Sequence, residues 1–238
     1  MKNFVKIFLL LFVVFVTSHA SAADISLNEW SFNIDGTITD DYHPPQPGEL
    51  PENINASKFN FTTGLGTITA TINSSGSHYV VSFFDHEIDQ TTNTYYNELG
   101  SSTGSPGPGQ SWQIDQPGYP LGTIYTNFQN NALSNSNGNT GPDDVSMAQG
   151  WNFTLAPGQT ATITITTSDT TLPSTPFYLT QWDPDSMQTD PSAHIFFSDT
   201  LDIEGGPPSP VPEPSTIILL GAGLAGLASR RMNIHFKS

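Results

Sequence analysis

Apolar and polar residues alternate through most of the middle of this chain. Trp30, Phe32 and Ile34 are separated by Ser31 and Asn33, and Asp35-Gly36 ends the run. Ile68, Ala70 and Ile72 alternate with Thr67, Thr69 and Thr71; Trp151, Phe153 and Leu155 alternate in the same way, as do Ala161, Ile163 and Ile165. Successive side chains of a strand point to opposite faces, so a period of two predicts strands with one buried and one polar face. Residues 79–84 (YVVSFF) are apolar at both parities, the pattern of a strand covered on both sides. Residues 177–182 (FYLTQW) and 194–203 (HIFFSDTLDI) complete the set. The clearest hairpin is read at 151–166, where two alternating strands meet across Ala156-Pro157-Gly158-Gln159. Trp151 is expected in the core from its alternation with Phe153 and Leu155.

No window carries a capped amphipathic helix. The pattern therefore predicts an all-β fold, a single antiparallel β-sandwich of jelly-roll or immunoglobulin-like arrangement, over residues 23–204. Residues 40–53 hold four prolines, and residues 100–110 and 130–144 are rich in Gly, Ser and Asn; all three segments read as loops.

The two ends break the pattern. Lys2 and Lys6 precede an apolar run from Ile7 to Val16, and Ala20-Ser21-Ala22 follows it before Ala23. A basic start, a short apolar run and a small-residue cut site make residues 1–22 a signal peptide cut after Ala22 by signal peptidase. At the other end, residues 205–214 form a Pro-rich linker that can be neither helix nor central strand. Residues 215–231 are then uncharged and apolar or small until Arg230-Arg231, which predicts a short transmembrane helix with its arginine end in the cytoplasm. Residues 232–238 would be a cytoplasmic remnant.

Charge sharpens this division. Charged residues are 12% of the chain, about half the usual share, so Ser, Thr, Asn and Gln must supply the polar surface. All 22 acids fall between residues 23 and 229, with Lys58 the one lysine or arginine in that span. So anionic a body repels phosphate backbones, which excludes nucleic acid as a partner. The chain has no cysteine, hence no disulfide, no thiolate metal site and no cysteine nucleophile.

Candidate chemistry is sparse. Gly100-Ser101-Ser102-Thr103-Gly104 fits G-x-S-x-G, but Pro106 and Pro108 follow where a nucleophile motif needs a helix. Asp85, Glu87 and Asp89 would line one face of a continued strand; they read as a strand end turning into solvent, as weak calcium ligands, or as an acid/base pair. Asp143-Asp144 and Asp183-Pro184-Asp185 with Asp190 are loop candidates of the same kind. His43, His78, His86 and His194 show no metal-pair spacing. Tyr95-Tyr96, with Trp112 and Tyr119 placed in loops, either pin those loops to the core or offer a sugar-stacking surface. The body is expected to be no enzyme and to need no cofactor.

The tail carries a recognisable arrangement. Val211, Pro212, Glu213 and Pro214, the Gly-rich span and Arg230-Arg231 stand in fixed order, and residues 211–231 resemble the PEP-CTERM sorting tail of Gram-negative bacteria that make extracellular polysaccharide. That resemblance implies an exosortase substrate: an integral membrane transpeptidase would read the Pro-Glu-Pro element and the arginines would act as the stop signal. It further implies an inner-membrane intermediate, then the outer surface or the extracellular (biofilm) matrix. The expected role is that of a non-enzymatic envelope or matrix protein. A carbohydrate-binding module engaging extracellular polysaccharide is the alternative, with a secreted hydrolase behind it.

Overall fold

The computed structural model describes residues 23–206, except 42, 46, 47, 92, 119–121 and 189, together with Ala222 and Leu224. Its strands are β1 (Ile25–Ile34), β2 (Thr37–Asp41), β3 (Ile54–Asn60), β4 (Leu65–Ile72), β5 (Gly76–Ile88) and β6 (Leu99–Gly104). Then come β7 (Gln110–Asp115), a short helix α1 (Ile124–Gln129), β8 (Ser136–Asn137), β9 (Ser146–Leu155), β10 (Gln159–Ser168), β11 (Phe177–Trp182) and β12 (His194–Gly205). They form two six-stranded sheets packed as a sandwich. The first sheet runs β2-β1-β5-β9-β7-β8 and the second β3-β4-β10-β12-β11-β6. Every pairing is antiparallel except that of β7 with β8.

The period-two runs supply the interior. Trp30, Phe32 and Ile34 of β1, with Phe84 and Ile88 of β5, meet Ile68 and Ala70 of β4, Ile163 and Ile165 of β10 and Phe197 of β12. Phe84 lies edge-on to both Phe32 and Phe197, at centroid distances of 6.0 and 5.4 Å, so aromatic edges lock the two sheets together. Ala23 packs against this core.

The doubly apolar run at 79–84 is buried on both sides for a second reason. Val81 and Phe83 point away from the sandwich and join Ile124, Phe128, Leu133 and Ala148 in a smaller core on the outer face of the first sheet. The residues over it are held by buried polar side chains of that face. Asn33 donates to the carbonyls of Phe128 and Gln129, both at 3.0 Å, and Gln113 donates to Thr123 Oγ1 at 3.0 Å while accepting from Asn127 at 2.9 Å. Helix α1 has no side-chain cap, and its Ile124 and Phe128 are one turn apart on the buried side. Tertiary burial rather than helix propensity holds a helix this short.

Four expectations change. Residues 151–166 are not a hairpin: β9 pairs with β5 and β7 in the first sheet, β10 with β4 and β12 in the second. The chain arches across the core at Pro157-Gly158, so the inward faces of β9 and β10 confront each other. Alternation is the same for an arch and a hairpin, which is why sequence could not separate them. Of the loop expected at 100–110, residues 100–104 belong to strand β6, and Trp112 lies on β7, buried against Phe177 at 5.6 Å. Trp151 is half-buried at the edge of the core, beside Gly107.

The expected signal peptide at 1–22, the sorting residues Val211–Pro214 and Arg230–Arg231, and Tyr119 lie outside the described residues. Among the described residues no helix is long and apolar enough to cross a membrane.

A candidate metal centre and an open sheet face

Along β5 one row of side chains runs Tyr79, Val81, Phe83, Asp85, Glu87. Its apolar half sits beneath α1 and its acidic half continues past that cover. Asp85 is 1% exposed and Glu87 3%. This corrects the reading of a strand end turning into solvent. Asp89 does not join them: it ends the strand with φ of 56° and accepts a hydrogen bond from the Asp24 backbone at 2.7 Å. The third member comes from the run into β9. The β5–β9 register ends on Asp85 and Ser146, and Asp144, two residues before Ser146, lies beside Asp85 and Glu87. Oxygens of Asp85, Glu87 and Asp144 all lie within 4.8 Å of one another.

These acids have little to offset them. Asp85 Oδ2 accepts from Asn28 Nδ2 at 3.0 Å, but Asp85 Oδ1, Glu87 Oε2 and Asp144 Oδ1 are buried without a hydrogen-bond partner. Glu29 of β1 pairs in register with Asp85 and adds a fourth carboxylate. Burial, with Asp144 next in effect, pushes Glu87 up to about 8 and Asp85 well above the carboxylate range. Burial and Asp143 push Asp144 up to about 6; burial and Asp40 push Glu29 up to about 7. Like charges directly opposite each other across a sheet destabilise it, and removal from water adds to the cost. A cleft of about 310 Å³ opens beside the group, lined by Asn28, Glu29, Asp40, Asp85, Tyr125 and Asp144.

Just inside, Glu98 is fully buried, accepting from the Ile88 backbone at 2.8 Å and from Gln181. Burial pushes it up to about 10, so it is held as the neutral acid at pH 7. Glu98 and Asp143 also exchange backbone hydrogen bonds at 2.9 Å, linking the entry to β6 with the run into β9.

The other sequence candidates have structural roles. Asp183 accepts from Asn93, Asn97 and Ser186 side chains and from the backbones of Asp185 and Ser186, which fixes the turn after β11. Asp190 accepts from Ser192. His78 pairs with Asp35 at 2.7 Å. His86 donates from Nε2 to the Gly64 carbonyl at 3.1 Å, and burial pushes it down to about 4, so it is neutral. A side chain at Gly64 would meet that imidazole at 2.2 Å. Gly100–Gly104 lies along edge strand β6, and the strand-to-helix turn that a nucleophile requires is not formed there. Tyr95 and Tyr96 stack at 3.9 Å with Tyr96 exposed.

The outer face of the second sheet is different in kind. Thr67, Thr69 and Thr71 of β4 stand opposite Thr166, Thr164 and Thr162 of β10. Beside them lies a row that sequence reading missed, formed by Tyr178 and Trp182 of β11 with His194 and Phe196 of β12, all half-exposed. Phe196 meets Tyr178 edge-on at 5.9 Å and His194 at 4.6 Å. Outward parity in FYLTQW and HIFFSD could have revealed it.

The tail decides the wider assignment. Residues 210–231 match the PEP-CTERM protein-sorting motif. This motif implies an exported exosortase substrate anchored at the cell surface. No curated protein and no solved structure matches the chain.

Proposed function

We propose that the body is a non-enzymatic envelope or extracellular-matrix component, exported by the leader at 1–22 and processed at Pro212-Glu213-Pro214. The observation that carries this reading is the sorting motif at 210–231, which implies an exported exosortase substrate. Mass spectrometry of the mature protein from its host should find a C-terminus near the Pro-Glu-Pro element. Intact Ser238 in the dominant form would overturn the processing step. Replacing Pro212 and Pro214 should leave the precursor in the membrane while export proceeds.

A saccharide-binding role is the second reading. Tyr178, Trp182, His194 and Phe196 supply aromatic faces on an open sheet, and threonine hydroxyls lie next to them to meet sugar hydroxyls. Binding of extracellular polysaccharide that disappears in Trp182→Ala and Tyr178→Ala supports this role. Equal binding by these variants removes it.

A further inference from the structure

We propose that Asp85, Glu87 and Asp144 form a calcium site that fastens the segment leading into β9 onto β5. The observation behind it is a set of buried oxygens with nothing to bond to. Asp85 and Glu87 are more than nine-tenths buried, each has one carboxylate oxygen without a hydrogen-bond partner, Asp144 Oδ1 lacks one too, and the three carboxylates bring an oxygen each to within 4.8 Å of one another. Buried polar atoms are almost always satisfied, and a group of three orphaned acceptors calls for a cation. Among the described residues no lysine or arginine supplies one. Lys58, the one lysine or arginine between residues 23 and 229, is exposed on β3 of the other sheet, and His86 points to the opposite face of β5.

Donor type and spacing choose the ion. All three donors are carboxylate oxygens, the hard ligands preferred by calcium and magnesium over softer metals. Oxygens bound to one calcium at about 2.3–2.6 Å can be separated by up to about 5 Å, which accommodates the 4.8 Å spread. Magnesium, at about 2.0–2.1 Å, would require the set to contract. Second carboxylate oxygens and water from the adjoining 310 Å³ cleft can complete a shell of six to eight ligands, a number calcium requires. The surroundings are already arranged to hold the ligands. Asn28 fixes the other oxygen of Asp85, and the backbone bridge between Asp143 and Glu98 holds the residue next to Asp144.

Calorimetric titration of the purified full-length chain with calcium chloride in about 0.15 M sodium chloride tests the site, since monovalent salt at that level screens diffuse attraction. The expected result is a saturable heat of one ion per chain and a rise in melting temperature with calcium concentration. Glu87→Gln and Asp85→Asn should each weaken binding at least tenfold, while Asp202→Asn on the exposed end of β12 should leave it unchanged. A flat trace, or equal binding by all the variants, overturns the proposal. Terbium provides a readout that needs no variant, because Tyr125 lines the same cleft and can sensitise its emission. Emission that calcium displaces supports the site, and absence of sensitised emission overturns it.

Discussion

The two sheets present opposite solutions to the same problem, an outer face that is not part of the main core. On the first sheet that face is covered. Val81 and Phe83 lie under Ile124 and Phe128, and the polar residues left there, Asn33 and Gln113, are spent on holding the cover. On the second sheet the face is open, and threonine, tyrosine and tryptophan meet solvent directly. Covering a face removes water from every group on it, whatever its chemistry. Aspartate and glutamate therefore cause little difficulty at Asp202 and Glu204 on the open side, yet become costly at Asp85 and Glu87 near the covered one.

The largest test breaks the cover itself. Phe83 is fully buried between β5 and α1, with Tyr125 edge-on at 5.5 Å. Phe83→Ala should destabilise the protein by about 3–5 kcal/mol in denaturant melts, the cost of a large core truncation. If the variant is as stable as its parent, the segment over the first sheet is decoration and the contrast between the faces fails. Trp151→Ala should cost less, about 1–3 kcal/mol, because that ring is only half-buried.

A smaller effect distinguishes the acids by pH. Burial, then Asp144, raises the folded-state value of Glu87 from 4.5 to about 8. Below pH 4.5 both folded and unfolded chains hold the proton, and its contribution is fully present. Between about 4.5 and 8 the unfolded chain has released the proton while the folded chain still binds it, so stability falls as pH rises. The slope from this one group is at most about 1.4 kcal/mol per pH unit. In calcium-free buffer Glu87→Gln should flatten that limb, whereas Asp202→Asn should leave it as it is. Parallel pH profiles for Glu87→Gln and its parent would remove the distinction.

Legibility followed the physics of each face. Strands with one apolar side announced themselves: FYLTQW at 177–182 coincides with β11, and the threonine runs at 67–72 and 161–166 lie within β4 and β10. β6 was hidden because LGSSTG has no apolar alternation. Its glycines answer to neighbours instead: a side chain at Gly100 would meet Ile114 at 2.5 Å, and one at Gly104 would meet the Pro176 carbonyl at 1.9 Å. The arch at Pro157-Gly158 was hidden because sheet membership is a long-range property. The acidic group was half legible. Asp85 and Glu87 follow from parity, but Asp144 joins them through a register between strands some sixty residues apart, which composition cannot disclose.

The smallest predicted effect lies on the open face and is the most pointed check of the comparison. Thr164 stands at the middle of the threonine array, between Thr69 of β4 and Thr200 of β12 in register. Its side chain is half-exposed, and among the described residues no cover segment rests on it. Threonine suits a pleated surface, so alanine should lose a little strand preference, but there is no cavity to create and no buried partner to orphan. Thr164→Ala should therefore change stability by no more than about 0.5 kcal/mol, the range of ordinary surface substitutions. Denaturant melts of Thr164→Ala and Phe83→Ala side by side should differ by several kcal/mol although both residues occupy central strands and point away from the main core. If Thr164→Ala instead cost as much as Phe83→Ala, the second sheet's outer face would have to be covered in solution by something that buries the array, such as another copy of the chain. Stability would then depend on protein concentration, and dilution during the same melts would reveal it.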